Sequence, residues 1–136
     1  MSATLWMLLL MALLQGTVPV RVLDEGPQSN VDDARQVAVR DAAEWDALWR
    51  QHAPDRDQPR VDFAREMVVG VFLGSRNTAG FSVTIAGADV EQGVLVVRFH
   101  ETRPQPGGVV AQVITSPYYV AAVARHSGTV KFERVQ

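Results

Sequence analysis

Two stretches decide the fold: Phe81-Ser82-Val83-Thr84-Ile85-Ala86 and Leu95-Val96-Val97-Arg98-Phe99-His100. Phe81, Val83 and Ile85 alternate with Ser82, Thr84 and Ala86, while Leu95, Val97 and Phe99 alternate with Val96, Arg98 and His100. Successive side chains of a strand point to opposite faces, so a period of two predicts two half-buried strands. The connecting Ala88-Asp89-Val90-Glu91-Gln92-Gly93 predicts a hairpin between them.

Outward from this pair the chain continues in the same idiom. Met67 to Leu73 is apolar almost throughout, and its β-branched content suits a central strand ended by Gly74. Tyr118 to Ala124 and Thr129 to Val135 form a last pair, joined by Arg125-His126-Ser127-Gly128, which fits a hairpin loop. Gln36 to Arg40 and Val109 to Ile114 complete the set. One helix interrupts it. Asp41-Ala42-Ala43-Glu44 has the spacing of a capping box, and Trp45, Leu48 and Trp49 follow at helical intervals, predicting a helix from Ala42 to His52. Pro54 and the polar segment Asp55 to Pro59 end it. Trp45 and Trp49 read as core facing the sheet rather than as an aromatic ligand platform. Strands at hairpin distances with a single early helix predict an α+β fold: a mainly antiparallel β-sheet of about six or seven strands, sandwich or partly closed barrel, with one early amphipathic helix.

The chain has 136 residues, 47% hydrophobic and 21% charged, with 13 Lys and Arg against 15 Asp and Glu. A chain of this length makes one domain with a core large enough to need no staple. Without cysteine it has no disulfide framework, thiol nucleophile or cysteine metal site. A net charge of -2 without basic clusters excludes nucleic acid as the expected partner.

The N-terminus differs from the rest. Leu5 to Leu14 is an unbroken apolar run, and Met1 to Gln15 carries no charged side chain. Ten helical residues span about 15 Å, half of a hydrocarbon core of about 30 Å, so a stable membrane span is not expected. The length matches the apolar region of a signal peptide over residues 1–16, which predicts a secreted or periplasmic protein; an N-terminal core helix or an uncleaved anchor is the alternative. The polar, Gly- and Pro-containing residues 17–34 read as a linker or mobile arm, leaving residues 35–136 as the folded unit.

Catalytic chemistry has no sequence signature. His52, His100 and His126 lie far apart, none at a spacing that places two metal ligands on one helical face, so no metal site is expected. No Gly-x-Ser-x-Gly elbow surrounds a serine, and the only lysine, Lys131, is remote from any glycine-rich phosphate loop. His100, Glu101 and Arg103 are the one compact polar constellation, and strand neighbours point apart. Asp32-Asp33 and Asp55 with Asp57 lie in polar loop sequence that keeps carboxylates ordinary. No catalytic residue and no cofactor are expected.

Polar and glycine-rich punctuation after the strands is more informative. Gly74 to Phe81, Glu101 to Gly108 and Thr115 to Tyr119 are connections that a rigid sheet can cluster at one end, and function is often carried by such loops. The candidate partner-binding residues are Arg76, Asn77, Thr78, Gly80, Phe81, Arg103, Pro104, Tyr118 and Tyr119.

The same segments carry a family resemblance. Val61-Asp62-Phe63, Gly74-Ser75-Arg76-Asn77-Thr78-Ala79-Gly80-Phe81-Ser82-Val83, Arg103-Pro104-Gln105-Pro106-Gly107, Ser116-Pro117-Tyr118 and Val130-Lys131-Phe132 together resemble the C-terminal domain of the PrcB family of protease-complex subunits. That family's turn reads Thr-Gly-Gly-Tyr where this chain has Thr78-Ala79-Gly80-Phe81. The resemblance implies an exported, non-enzymatic accessory domain that binds, and stabilises, a partner such as a secreted or surface protease. A loop-based protease inhibitor and a small-ligand-binding β domain are the alternatives. Oligomeric state is left open.

Overall fold

The computed structural model describes residues 16–136. The apolar leader therefore lies outside the described residues, apart from Gly16. The elements are β1 (Gly16–Val18), β2 (Arg21–Gly26), β3 (Ala34–Val39), α1 (Ala42–His52), β4 (Glu66–Leu73), β5 (Ser82–Glu91), β6 (Val94–Thr102), β7 (Tyr118–Ala124) and β8 (Val130–Arg134). Among the described residues eight strands form two four-stranded sheets, ordered β1-β5-β6-β8 and β2-β7-β4-β3, packed as a sandwich rather than closed into a barrel. Every pairing is antiparallel except β6 with β8.

The near-continuous apolar character of β4 and β7 comes from burial on both faces. Met67, Val69, Val71 and Leu73 of β4, with Tyr119, Ala121 and Val123 of β7, face the other sheet and meet Val83, Ile85, Ala88, Leu95, Val97 and Phe99. The alternate residues Val68, Phe72, Tyr118 and Val120 face Trp45, Leu48 and Trp49 of α1. The sheet holding β4 and β7 is thus the middle of three layers. At about 25 cal/mol per Å² of apolar surface removed from water, two such interfaces supply the main stabilising term.

In β5 the inward set shifts from Val83 and Ile85 to Ala88 and Val90, and a register irregularity between Ile85 and Gly87 accounts for the change of phase. The connection to β6 is only Gln92 and Gly93, both at positive φ (51° and 78°), so Ala88 to Glu91 belong to the strand and not to the turn. Positive φ at both central residues is what a tight hairpin turn requires.

Three expectations are corrected. Residues 17–34 were expected as a linker, yet β1 and β2 lie there, one in each sheet. β2 looks like linker because, among the described residues, it is an edge strand with β7 as its one lateral neighbour, and half of its residues are exposed. Val109 to Ile114 is not a strand: its β-branched residues favour extended backbone, but no strand among the described residues pairs with it. Tyr118 to Ala124 and the last strand do not form a hairpin. β7 lies in the middle sheet and β8 crosses to the other, beside β6, because Arg40 Nη2 donates to the Gly128 carbonyl at 2.7 Å and Leu95 N donates to Thr129 O at 2.9 Å.

Candidate functional site

At one end of the sandwich the loops after β4 and β6 meet. Gly74, at φ 78°, ends β4 where an added Cβ would lie 2.8 Å from the Ala34 nitrogen. Glycine is therefore demanded by conformation and space together. Arg76 N donates to Thr115 O at 2.8 Å and Thr115 N donates to Arg76 O at 2.9 Å, a two-way clasp between the loops. The Thr115 hydroxyl donates to Thr78 O at 3.0 Å, and Ala79 N donates to Ala111 O at 3.0 Å. Ala79 lies outside the positive-φ region, so alanine fits there without strain. Gly80, at φ 95°, does need its glycine, since a Cβ would meet Pro104 at 2.8 Å.

These bonds suspend residues 103–114 as a strap across the end of the sandwich. Val109, Val113 and Ile114 stand on it exposed, at 102%, 52% and 70%. Sequence reasoning missed these three as surface residues because it assigned them to a strand. The signal was the preceding Pro104, Pro106, Gly107 and Gly108, which favour a turn and leave the following segment unaligned with any sheet.

The expected contact residues separate into two groups. Asn77 and Arg103 are exposed; Arg76, Thr78, Phe81 and Pro104 are half-buried beside Gly80 at this end. Arg76 is engaged inward. Its Nε donates to Glu101 Oε1 at 2.8 Å and its Nη1 donates to the Leu73 carbonyl at 3.0 Å, with the guanidinium 5.8 Å from the Phe81 ring centroid. Arg134 donates to the other Glu101 oxygen at 2.9 Å. The bond from Arg76, then that from Arg134, holds this buried carboxyl below the usual carboxylate range against the opposing effect of burial. Tyr118 and Tyr119, expected as contact residues, are buried, so neither presents a surface.

Tyr118 belongs instead to a polar cluster between β2, α1 and β7. Its hydroxyl donates to Asp24 Oδ1 at 2.9 Å. Arg56 donates to both Asp24 oxygens, at 3.0 and 2.7 Å, and to the Tyr118 oxygen at 3.0 Å. His52 Nε2 lies 2.8 Å from Asp24 Oδ2, and its Nδ1 lies 2.6 Å from the Ser29 hydroxyl. Serine, histidine and aspartate thus stand in line, as in a hydrolase triad. The hydroxyl, however, has no open side: Ser29 is 2% exposed, and its oxygen also accepts the Val31 N–H at 2.9 Å. The His52 ring is enclosed by Trp49, Phe72 and Tyr118. The line of bonds ties β2 to the helix and to β7.

Electrostatics follow the same geometry. Burial pushes His52 below the ordinary histidine value, more strongly than Asp24 draws it up. Burial also acts to raise Asp24, but the bonds from Arg56, His52 and Tyr118 outweigh it and the carboxyl is held low. A neutral His52 donates through Nε2–H to the carboxylate and accepts at Nδ1 from Ser29, which satisfies every member. Among the described residues no group of three His, Asp or Glu side chains is placed to hold a metal ion, and no helix is long and apolar enough to cross a membrane.

Residues 67–124, running from β4 to β7, match the PrcB C-terminal family. No curated protein matches the chain. No solved structure matches it either.

Proposed function

Starting from this similarity to PrcB C-terminal domains, an accessory, non-catalytic type of protease-complex domain, we propose that the chain binds and stabilises an exported protease through the loop end of its sandwich. The observation that carries the reading is the strap: Val109, Val113 and Ile114 hold apolar side chains in water on a segment fixed at Ala111 and Thr115. Apolar groups grouped at one place on a surface favour contact with another protein. A partner that binds the folded form alone gains RT ln(1 + [L]/Kd), about 2.7 kcal/mol at a hundredfold excess over Kd, and no chemistry is needed. Residues 1–16, as a signal peptide, would place both proteins outside the cytoplasm.

The test is affinity capture of the tagged protein from its native host, with identification of the co-purifying proteins and of the first residue of the mature chain. A protease should be recovered with the wild type and lost with Val109→Ser/Ile114→Ser, whose exposed positions leave the fold intact. Failure to recover any protein above background overturns the reading. Adding the purified chain to that protease then separates two roles: a stabiliser prolongs its half-life at constant turnover, whereas a loop-based inhibitor lowers turnover at one equivalent.

A further inference from the structure

β1 covers only part of its neighbour. Its pairs are Gly16 with Val90, Thr17 with Asp89 and Val18 with Ala88, after which Pro19, unable to donate a hydrogen bond, ends the pairing and the chain turns to β2. The remainder of β5, Ser82 to Ala86, is paired with β6 on one side and has no strand on the other among the described residues. An open groove of about 270 Å³ runs along this free half-edge, bounded by Phe81 to Thr84 on one wall and by Glu25, Gly26 and Pro27 on the other. The uncovered half of β5 and the edge strand β2 belong to different sheets, so the groove opens between the layers.

We infer that this half-edge receives an extended peptide strand from the partner, apolar at alternate positions and carrying a basic residue opposite Glu25. The inference rests on the partner-binding reading above. Three features select that occupant. A strand laid beside Ser82 to Ala86 would take up the outward backbone groups that β1 leaves free, as in strand addition to a sheet edge. Its inward side chains would enter the groove beside Val83, whose own side chain lies in the core, while the alternate ones would face water beside Thr84. Glu25 is exposed at the wall and makes no ion pair or side-chain hydrogen bond among the described residues, so its carboxylate is available to a cation there. A second copy of this chain pairing edge to edge would bring another Glu25 to the same groove, like charge against like.

The test uses the full chain, isotopically labelled, with a synthetic peptide of alternating valine and threonine and one central lysine. Exchange of those amides of Ser82 to Ala86 that point away from β6 should slow by about tenfold or more when the peptide is in excess, because once paired they open only with it. A peptide with central glutamate should bind more weakly to the wild type and more tightly to Glu25→Lys, and a peptide N-methylated on its pairing edge should not bind. Unchanged exchange at Ser82 to Ala86 with every peptide overturns the inference. So does protection that rises with protein concentration alone, which would assign the edge to a second copy. Host capture distinguishes the two levels: a protease recovered equally by the wild type and Glu25→Lys overturns strand addition while leaving partner binding in place. Peptide pairing without any co-purifying protein does the reverse.

Discussion

His52 ends α1 with its ring turned into the apolar layer, and that placement makes it a sensor of acid. In an unfolded chain histidine titrates near about 6.5, whereas in the folded protein burial holds His52 lower. As pH falls below that value the unfolded state takes up a proton that the native state does not, so stability is lost on acidification and is fully present above about pH 7. The midpoint of urea unfolding should be flat from about pH 8 to 7 and decline from about 6.5 downward. In His52→Gln the plateau should be lower and that decline absent. An unchanged slope would assign the acid response to other groups. Asp24, held low by Arg56, His52 and Tyr118, adds a second loss only at lower pH, below about 4, where the unfolded carboxyl is protonated first. None of this was legible in the sequence. Asp24, Ser29, His52, Arg56 and Tyr118 have no shared spacing, and only the folding of β2 onto β7 brings them together.

At the scale of elements, α1 shows how much local chemistry discloses. The expected bounds, Ala42 to His52, are those observed, because Asp41 accepts the Glu44 N–H at 2.8 Å and Ala53 N caps onto the Trp49 carbonyl. The reciprocal half of the capping box is not made: no bond runs from the Glu44 side chain to the Asp41 nitrogen. Asp41→Ala should therefore cost about 1 kcal/mol in thermal or urea unfolding, while Glu44→Gln should change stability by less than about 0.5 kcal/mol. Equal losses would mean that the Glu44 carboxylate acts on the helix end through its charge. β4 and the pair β5 and β6 were equally readable, since a buried run and a period of two are properties of the strand itself. Val109 to Ile114 has the same β-branched composition and fails as a strand, because pairing depends on a neighbour that composition does not report. The expected contact residues divide the same way: Gly80 and Pro104 lie together at the loop end, but the tyrosines belong to β7, a strand buried on both faces.

For the whole molecule, residues 16–26 matter more than their sequence suggests. They supply one edge strand to each sheet, and Asp24 anchors the buried polar cluster. A chain beginning at Pro27 would leave His52, Arg56 and Tyr118 without their common carboxylate and expose the edge of β7. An orphaned buried polar group costs about 1 to 3 kcal/mol and an exposed apolar edge promotes association, so this truncation should unfold at lower temperature and sediment as oligomers. A monomer of unchanged melting temperature would refute that account.

The register of β2 on β7, Arg21 beside Ala122 and Glu25 beside Tyr119, also has a meaning in time. A ribosome adds residues at about 5 to 20 per second, so β2 emerges roughly 5 to 20 s before the strand it must pair with. A typical apolar strand would spend that interval seeking other edges. Asp24, Glu25 and Gly26 give β2 the composition of a solvated linker, and that disguise is what allows an early-made edge strand to wait in water for a late-made neighbour.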